Sequence, residues 1–262
     1  NILGSALTGE SKIDQDILFL LGKGSSGKSV IMQLTKKAIE CYLQELNSDT
    51  FSANNAGINK IINIYDCEPQ IRISWINEME GAKIDDALFK RFCDGSFTVT
   101  KLYKDGTFTI DHNSKIIITS NEMPNIKIDS GTKRRMLCYT HTSHFVDDET
   151  LIDENNRIFK KNKDLIDSIT DKQLNAWIDI LAKYANNWLN KKIPKLTKNF
   201  IDSSSLVVNT NDIFMDFIDE NLKITNDDND RISKNDMEKA FKSTYPNRHL
   251  VLRNIITALK EK

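Results

Sequence analysis

The residues most able to do chemistry lie in one run, Gly22-Lys23-Gly24-Ser25-Ser26-Gly27-Lys28-Ser29. The run fits the phosphate-loop pattern G-x-x-x-x-G-K-[ST] at every fixed position. Its glycines let backbone N–H groups of Gly22, Gly24, Ser25, Ser26 and Gly27 curl around a phosphate, and a helix opening at Lys28 adds the positive end of its dipole. Lys28 is placed to pair with β- and γ-phosphates, and the Ser29 hydroxyl to hold Mg²⁺. A phosphate loop of this kind also needs a carboxylate at the end of a neighbouring buried strand, to orient the Mg²⁺ shell or polarise the attacking water. The stretch Arg72-Ile73-Ser74-Trp75-Ile76-Asn77-Glu78-Met79-Glu80 supplies one. Glu78 is the first candidate and Glu80 the reserve. A further apolar run, Ile116-Ile117-Ile118-Thr119-Ser120-Asn121, ends in an amide able to bond the water or the γ-phosphate. Lys133-Arg134-Arg135 follows the turn Asp129-Ser130-Gly131 and offers arginines to a neighbouring subunit.

The elements needed to position these residues are legible in the hydrophobic pattern. Asp16–Leu21 is a short apolar run ending in glycine, as a buried strand does. Lys28–Leu46 carries apolar residues at helical spacing. Ile71–Ile76, Lys115–Thr119 and Arg135–Phe145 read as strands, and Asp85–Phe92 as a helix. Phe97–Ile110 reads as a hairpin turning at Lys104-Asp105-Gly106. Strands alternating with helices predict an α/β fold with a mainly parallel sheet. From Leu151 to Leu189 the pattern is helical, with Trp177, Ile180, Leu181, Tyr184 and Trp188 on one stripe. Lys191–Ser205 reads as a polar linker. Asn211–Lys262 reads as about three helices, with Ser233 an N-cap before Asp236.

Composition narrows the function classes. Lys and Arg number 36 against 37 Asp and Glu, a net charge of -1, so a protein that coats nucleic acid with its whole surface is excluded. No apolar run reaches the roughly 20 residues of a membrane span. Cys41, Cys67, Cys93 and Cys138 form no C-x-x-C pair, which fits reduced thiols in a reducing compartment. Cys138, His141 and His144 have ligand-like spacing, but on a strand they alternate between faces, which disfavours a metal site.

The order of these blocks resembles the superfamily 3 helicases, AAA+-type hexameric motors of viruses, phages and plasmids, and within them the poxvirus-type primase-helicase branch. The likeness runs from Leu3 to about Glu149. It is carried by Leu7-Thr8-Gly9, the phosphate loop, the Asn77-Glu78 strand end, Leu88-Phe89-Lys90-Arg91-Phe92-Cys93-Asp94-Gly95, Thr119-Ser120-Asn121-Glu122-Met123-Pro124 and Lys133-Arg134-Arg135. The resemblance implies an AAA+-like P-loop NTPase core over residues 1–149, a helical extension and linker over 150–205, and a small winged-helix-like unit over 206–262. It implies that Gly22, Gly27, Lys28 and Ser29 form Walker A and that Asn77 and Glu78 form Walker B. Asn121 takes the sensor-1 position, and Arg135, or else Arg134, the arginine finger supplied in trans. The hairpin of residues 96–110 falls where the family grips single-stranded DNA, with Lys101 and Lys104 as the contacting lysines. Where Asn77 stands the family usually has a carboxylate. An amide accepts a hydrogen bond but brings no charge, so the metal role of Asn77 stays open and Glu78 must carry more.

The implied activity is ATP- and Mg²⁺-dependent unwinding of forked DNA by a homo-oligomeric ring. An upstream primase or primase-polymerase domain is implied, as is a place in the host cytoplasm or a viral replication site. Competing readings are a non-unwinding AAA+ ATPase (a loader or packaging motor), a small-molecule P-loop kinase active as a monomer, and a silent assembly module. In a ring, Lys101 and Lys104 repeat in every subunit, so a neutral chain is expected to carry its positive field in the channel.

Overall fold

The computed structural model describes residues 1–51, 65, 71–79, 84–100, 107–126, 129–190, 196–204, 217–218, 220–223, 225 and 231–245. The chain divides into two units, Asn1–Ser204 and Ser205–Lys262.

In the first unit, five strands form one parallel sheet: β1 (Ile17–Leu21), β2 (Leu43–Leu46), β3 (Ile73–Asn77), β6 (Lys115–Ser120) and β7 (Met136–Thr140), in spatial order β2-β3-β6-β1-β7. β1 and β6 are buried along their whole length. Unbroken apolar runs are what a strand covered on both faces requires, since neither face meets water. On one face Leu18, Leu20, Ile73, Trp75, Ile117 and Leu137 pack with Met32 and Ile39 of helix α3 (Lys28–Ile39), against α1 (Ile2–Ala6) and α6 (Asp171–Leu189). On the other, Phe19 meets Phe89 of α4 (Asp86–Cys93), and Phe51 sets its ring edge-on to Phe92 at 5.0 Å. Asp85 caps α4 by accepting the Leu88 N–H at 2.8 Å.

α1 and α6 approach so closely at Gly4 that a Cβ there would stand 2.5 Å from Tyr184 Cβ. Trp177 donates to Thr35 Oγ1 at 3.3 Å and Trp188 to Glu10 at 2.8 Å, so α6 is pinned at both ends. Ile180 is the one residue of the expected apolar stripe that stands exposed. At the amino ends of the strands, buried Lys115 is neutralised by Asp14 and Asp16.

Three expected elements differ. The helix read over Lys28–Leu46 ends at Ile39, where Glu40 takes φ 47°, and the chain then forms edge strand β2 beside β3. The strand read over Arg135–Phe145 is two: β7, then β8 (His144–Val146). β7 runs along β1, its last ladder bond being His141 N–H to Leu21 O at 2.7 Å, whereas β8 pairs with a different strand. The helical reading of Leu151–Leu189 holds only for α6. Ahead of it lie a turn at Glu149–Leu151 and β9 (Ile158–Lys160), parallel to β8. Within the stretch read as a polar linker, residues 198–204 are helical. The expected hairpin is present as β4 (Ser96–Thr100) antiparallel to β5 (Thr107–Asp111), with Ser96 opposite Asp111 and Thr100 opposite Thr107. The remaining short helices of this unit are α2 (Ser11–Asp14) and α5 (Ser130–Lys133).

In the second unit, α7 (Lys234–Thr244) is capped by Ser233, whose hydroxyl accepts the Asp236 N–H at 3.1 Å. Phe217, Ile218, Met237 and Phe241 are buried there, with the rings of Phe217 and Phe241 edge-on at 5.2 Å. Among the described residues no helix is long and apolar enough to cross a membrane.

Candidate functional site

The carboxyl ends of β1, β3 and β6 open on one cleft, the place where open parallel sheets hold ligands. The loop between β1 and α3 requires unusual backbone. Gly22 takes φ 143°, Ser25 58° and Gly27 88°. A Cβ at Gly22 would stand 2.7 Å from the carbonyl oxygen of His141, so only glycine fits. Gly24 faces open space. Helix α3 has Gly27 at its N-cap and no side-chain cap, which leaves its first N–H groups available to an anion.

Lys28 is buried, 7% exposed. Its ammonium donates to the carbonyls of Gly22 and Lys23 (3.0 Å to the latter), to Ser26 Oγ at 3.3 Å and to Asn121 Oδ1 at 3.1 Å. These oxygens solvate the charge in the arrangement a phosphate can take over. The adjacent imidazole of His141 is held below its ordinary pKa, first by burial and then by the Lys28 charge.

Asn77 stands at the end of β3 with its amide oxygen shared. Ser29 donates to it at 3.5 Å and Thr119 at 3.0 Å, and Thr119 in turn accepts from Trp75 Nε1 at 2.9 Å. The next residue, Glu78, is exposed and takes φ 54°, with its N–H donated to Thr119 O at 2.9 Å. A non-glycine residue in that region is strained, and such strain concentrates at functional sites. The donors facing the cleft here are a hydroxyl, an amide oxygen and a carboxylate. All are hard oxygen ligands of the kind Mg²⁺ takes alongside phosphate and water, so these residues fit that ion.

The segment after β7 lies across the phosphate loop, a placement that no motif in the sequence signals. Phe145 of β8 donates its N–H to Ser25 O at 2.8 Å, and its ring edge stands 3.3 Å from where a Gly27 Cβ would be. Lys161, just past β9, lines the same cleft.

The two arginines sit in different surroundings. Arg135 is 8% exposed, and it donates to Asp94 Oδ1 at 2.7 Å and to Gly131 O at 3.2 Å within its own chain. Arg134 is exposed. Arg135 is thus buried and paired within its own chain, whereas Arg134 reaches solvent. Glu80, Lys101 and Lys104 lie outside the described residues. Cys93 and Cys138 are buried, and burial pushes both thiols up to about 12.

The class defined by these observations is a mixed α/β core with a mainly parallel sheet and a polar cleft at the carboxyl ends of its strands. No family model matches the chain, and no curated protein matches it. Among solved structures it is similar to the A form apo structure of the NrS-1 C-terminal region, with 13% identity and a TM-score of 0.46, covering 98% of this chain and 66% of that one. It is also similar to an apo structure of the same region, with 14% identity and a TM-score of 0.45, covering 86% and 55%. The chain therefore spans less than two thirds of the length of these structures.

Proposed function

We propose that the chain is the ATPase core of a superfamily 3-type DNA helicase, a ring-forming AAA+ motor of a viral, phage or plasmid replication protein. One observation carries this reading. Lys28, Ser29, Asn77, Glu78 and Asn121, delivered by three adjacent strand ends, converge on a single cleft.

In the proposed reaction, ATP enters the phosphate loop and Lys28 exchanges loop carbonyls for β- and γ-phosphate oxygens. Ser29, Asn77 and Glu78 would hold Mg²⁺, which would supply charge neutralisation on the phosphates. Glu78 polarises the attacking water. Asn121, released from Lys28, orients that water or the γ-phosphate. Arg134 of a neighbouring subunit steadies the charge developing on the γ-phosphoryl group. The β4–β5 hairpin carries Lys101 and Lys104 to single-stranded DNA, gripped through its phosphates and therefore sensitive to salt. The ring, an upstream primase or primase-polymerase domain, and residence in the host cytoplasm or at a viral replication site belong to the same proposal.

The test combines ATP hydrolysis with and without single-stranded DNA and strand separation on a forked duplex. DNA-stimulated hydrolysis with unwinding, both lost in Lys28→Ala, is the expected result. Hydrolysis without unwinding would instead indicate a loader or packaging motor. Hydrolysis by the monomer, indifferent to DNA, would remove the helicase reading.

A further inference from the structure

We propose that Lys161 is a second phosphate-contacting cation of the cleft, acting in cis beside Lys28. This inference rests on the nucleotide reading given above and assigns a new residue to it. Lys161 lies far beyond the last sequence block of the resemblance and belongs to no motif. Its place comes from the fold. β8 is bonded to the phosphate loop through Phe145 N–H and Ser25 O at 2.8 Å. β9 pairs in register with β8, and the Lys161 N–H closes the pair on Val146 O at 2.8 Å. Two backbone links therefore fix the Lys161 backbone relative to the loop, and Lys161 lines the cleft with Lys28, Glu78 and Asn121.

The Lys161 charge acts on Asp147, whose carboxylate is already bound by Lys163. Lys160 pairs with Glu149, and Lys163 pairs with Asp147 at 3.0 Å, whereas Lys161 enters no ion pair among the described residues. The cleft itself has an amide, Asn77, where a carboxylate would offset one positive charge. Lys28 and Lys161 against Glu78 thus leave a positive surplus, to which the α3 N-terminus adds. A polyphosphate is the ligand such a surplus selects.

The experiment uses the full chain and titrates fluorescent MgADP, with competition by inorganic pyrophosphate, at two ionic strengths. Wild type, Lys28→Ala, Lys161→Ala and Lys161→Arg are compared. Lys161→Ala is expected to weaken both ligands by about tenfold, the low end for a bond to a charged group because the side chain is exposed. Lys161→Arg should stay within about twofold of wild type, and the salt dependence of Lys161→Ala should be shallower. An equal loss for pyrophosphate and MgADP places the contact on phosphate, and a loss confined to MgADP overturns the assignment. Wild-type affinity in Lys161→Ala, with binding lost in Lys28→Ala, overturns the role of Lys161 and leaves the nucleotide site standing. Absence of binding by wild type overturns both.

Discussion

Arg135→Ala separates a structural arginine from a catalytic one. Arg135 is 8% exposed and makes a charge-assisted bond of 2.7 Å to Asp94 and a second bond of 3.2 Å to Gly131 O. Its Nε is buried without a partner. A hydrogen bond between charged groups contributes about 1.5–3 kcal/mol, and a neutral acceptor about 1 kcal/mol. Against this, the substitution removes the desolvated Nε and frees Asp94, whose side chain is 46% exposed and regains water. The balance is a loss of about 2 kcal/mol, below the full cost of breaking a wholly buried pair. For a unit the size of Asn1–Ser204 this lowers the melting midpoint by about 4–8 °C. Arg134→Ala touches an exposed side chain and should leave the midpoint within about 2 °C. In the ATPase assay, run below both midpoints, Arg134→Ala should lose about 10³-fold or more in turnover with nucleotide affinity retained. An Arg135→Ala protein that melts like wild type, binds nucleotide and does not turn over would refute this reasoning and return the finger to Arg135.

Three further outcomes follow from the geometry. Glu78→Gln should bind nucleotide normally and lose at least about 10²-fold in turnover, the usual scale for removing a general base; near-wild-type hydrolysis would shift the role to Glu80. Gly22→Ala, forced against His141 O at φ 143°, should lose nucleotide binding, whereas Gly24→Ala, open on all sides, should bind within about threefold of wild type, because few neighbouring atoms are displaced; equal effects in a titration would contradict the loop geometry. Burial lowers the pKa of His112 to about 4. The unfolded chain takes up this proton near pH 6.5 and the folded chain only near 4, so the contribution is full above 6.5 and is lost as pH falls towards 4, by up to about 3 kcal/mol. Denaturant unfolding of His112→Gln should show a shallower decline across that window, and an unchanged slope would contradict the assignment.

The parts of this molecule that obey local rules were readable from residues alone. β1 and β6 announce themselves as unbroken apolar runs because both faces are covered, and Ser233 caps a helix by the chemistry of its own side chain. The parts decided by partners were not. Leu43 and Leu46 keep a spacing that also suits a helix, yet β3 offers them a ladder, and the helix stops at Glu40. The sequence does not show that Arg135 is buried on Asp94, which α4 brings beside it, while Arg134 is exposed. Asn77 looked like a missing carboxylate, whereas its amide oxygen is the common acceptor of Ser29 and Thr119. Lys161 has no local signal, because its place depends on the pairing of two short strands and on the bond of β8 to Ser25.

Every role proposed for this chain depends on the cleft being a site of ATP turnover. The most direct measurement is steady-state ATP hydrolysis by the purified full chain with Mg²⁺ and single-stranded DNA, beside Lys28→Ala purified and folded identically. DNA-stimulated turnover in wild type, falling to background in Lys28→Ala, is the predicted result. Turnover that survives the loss of Lys28, or no turnover by wild type that binds both nucleotide and DNA, would contradict it.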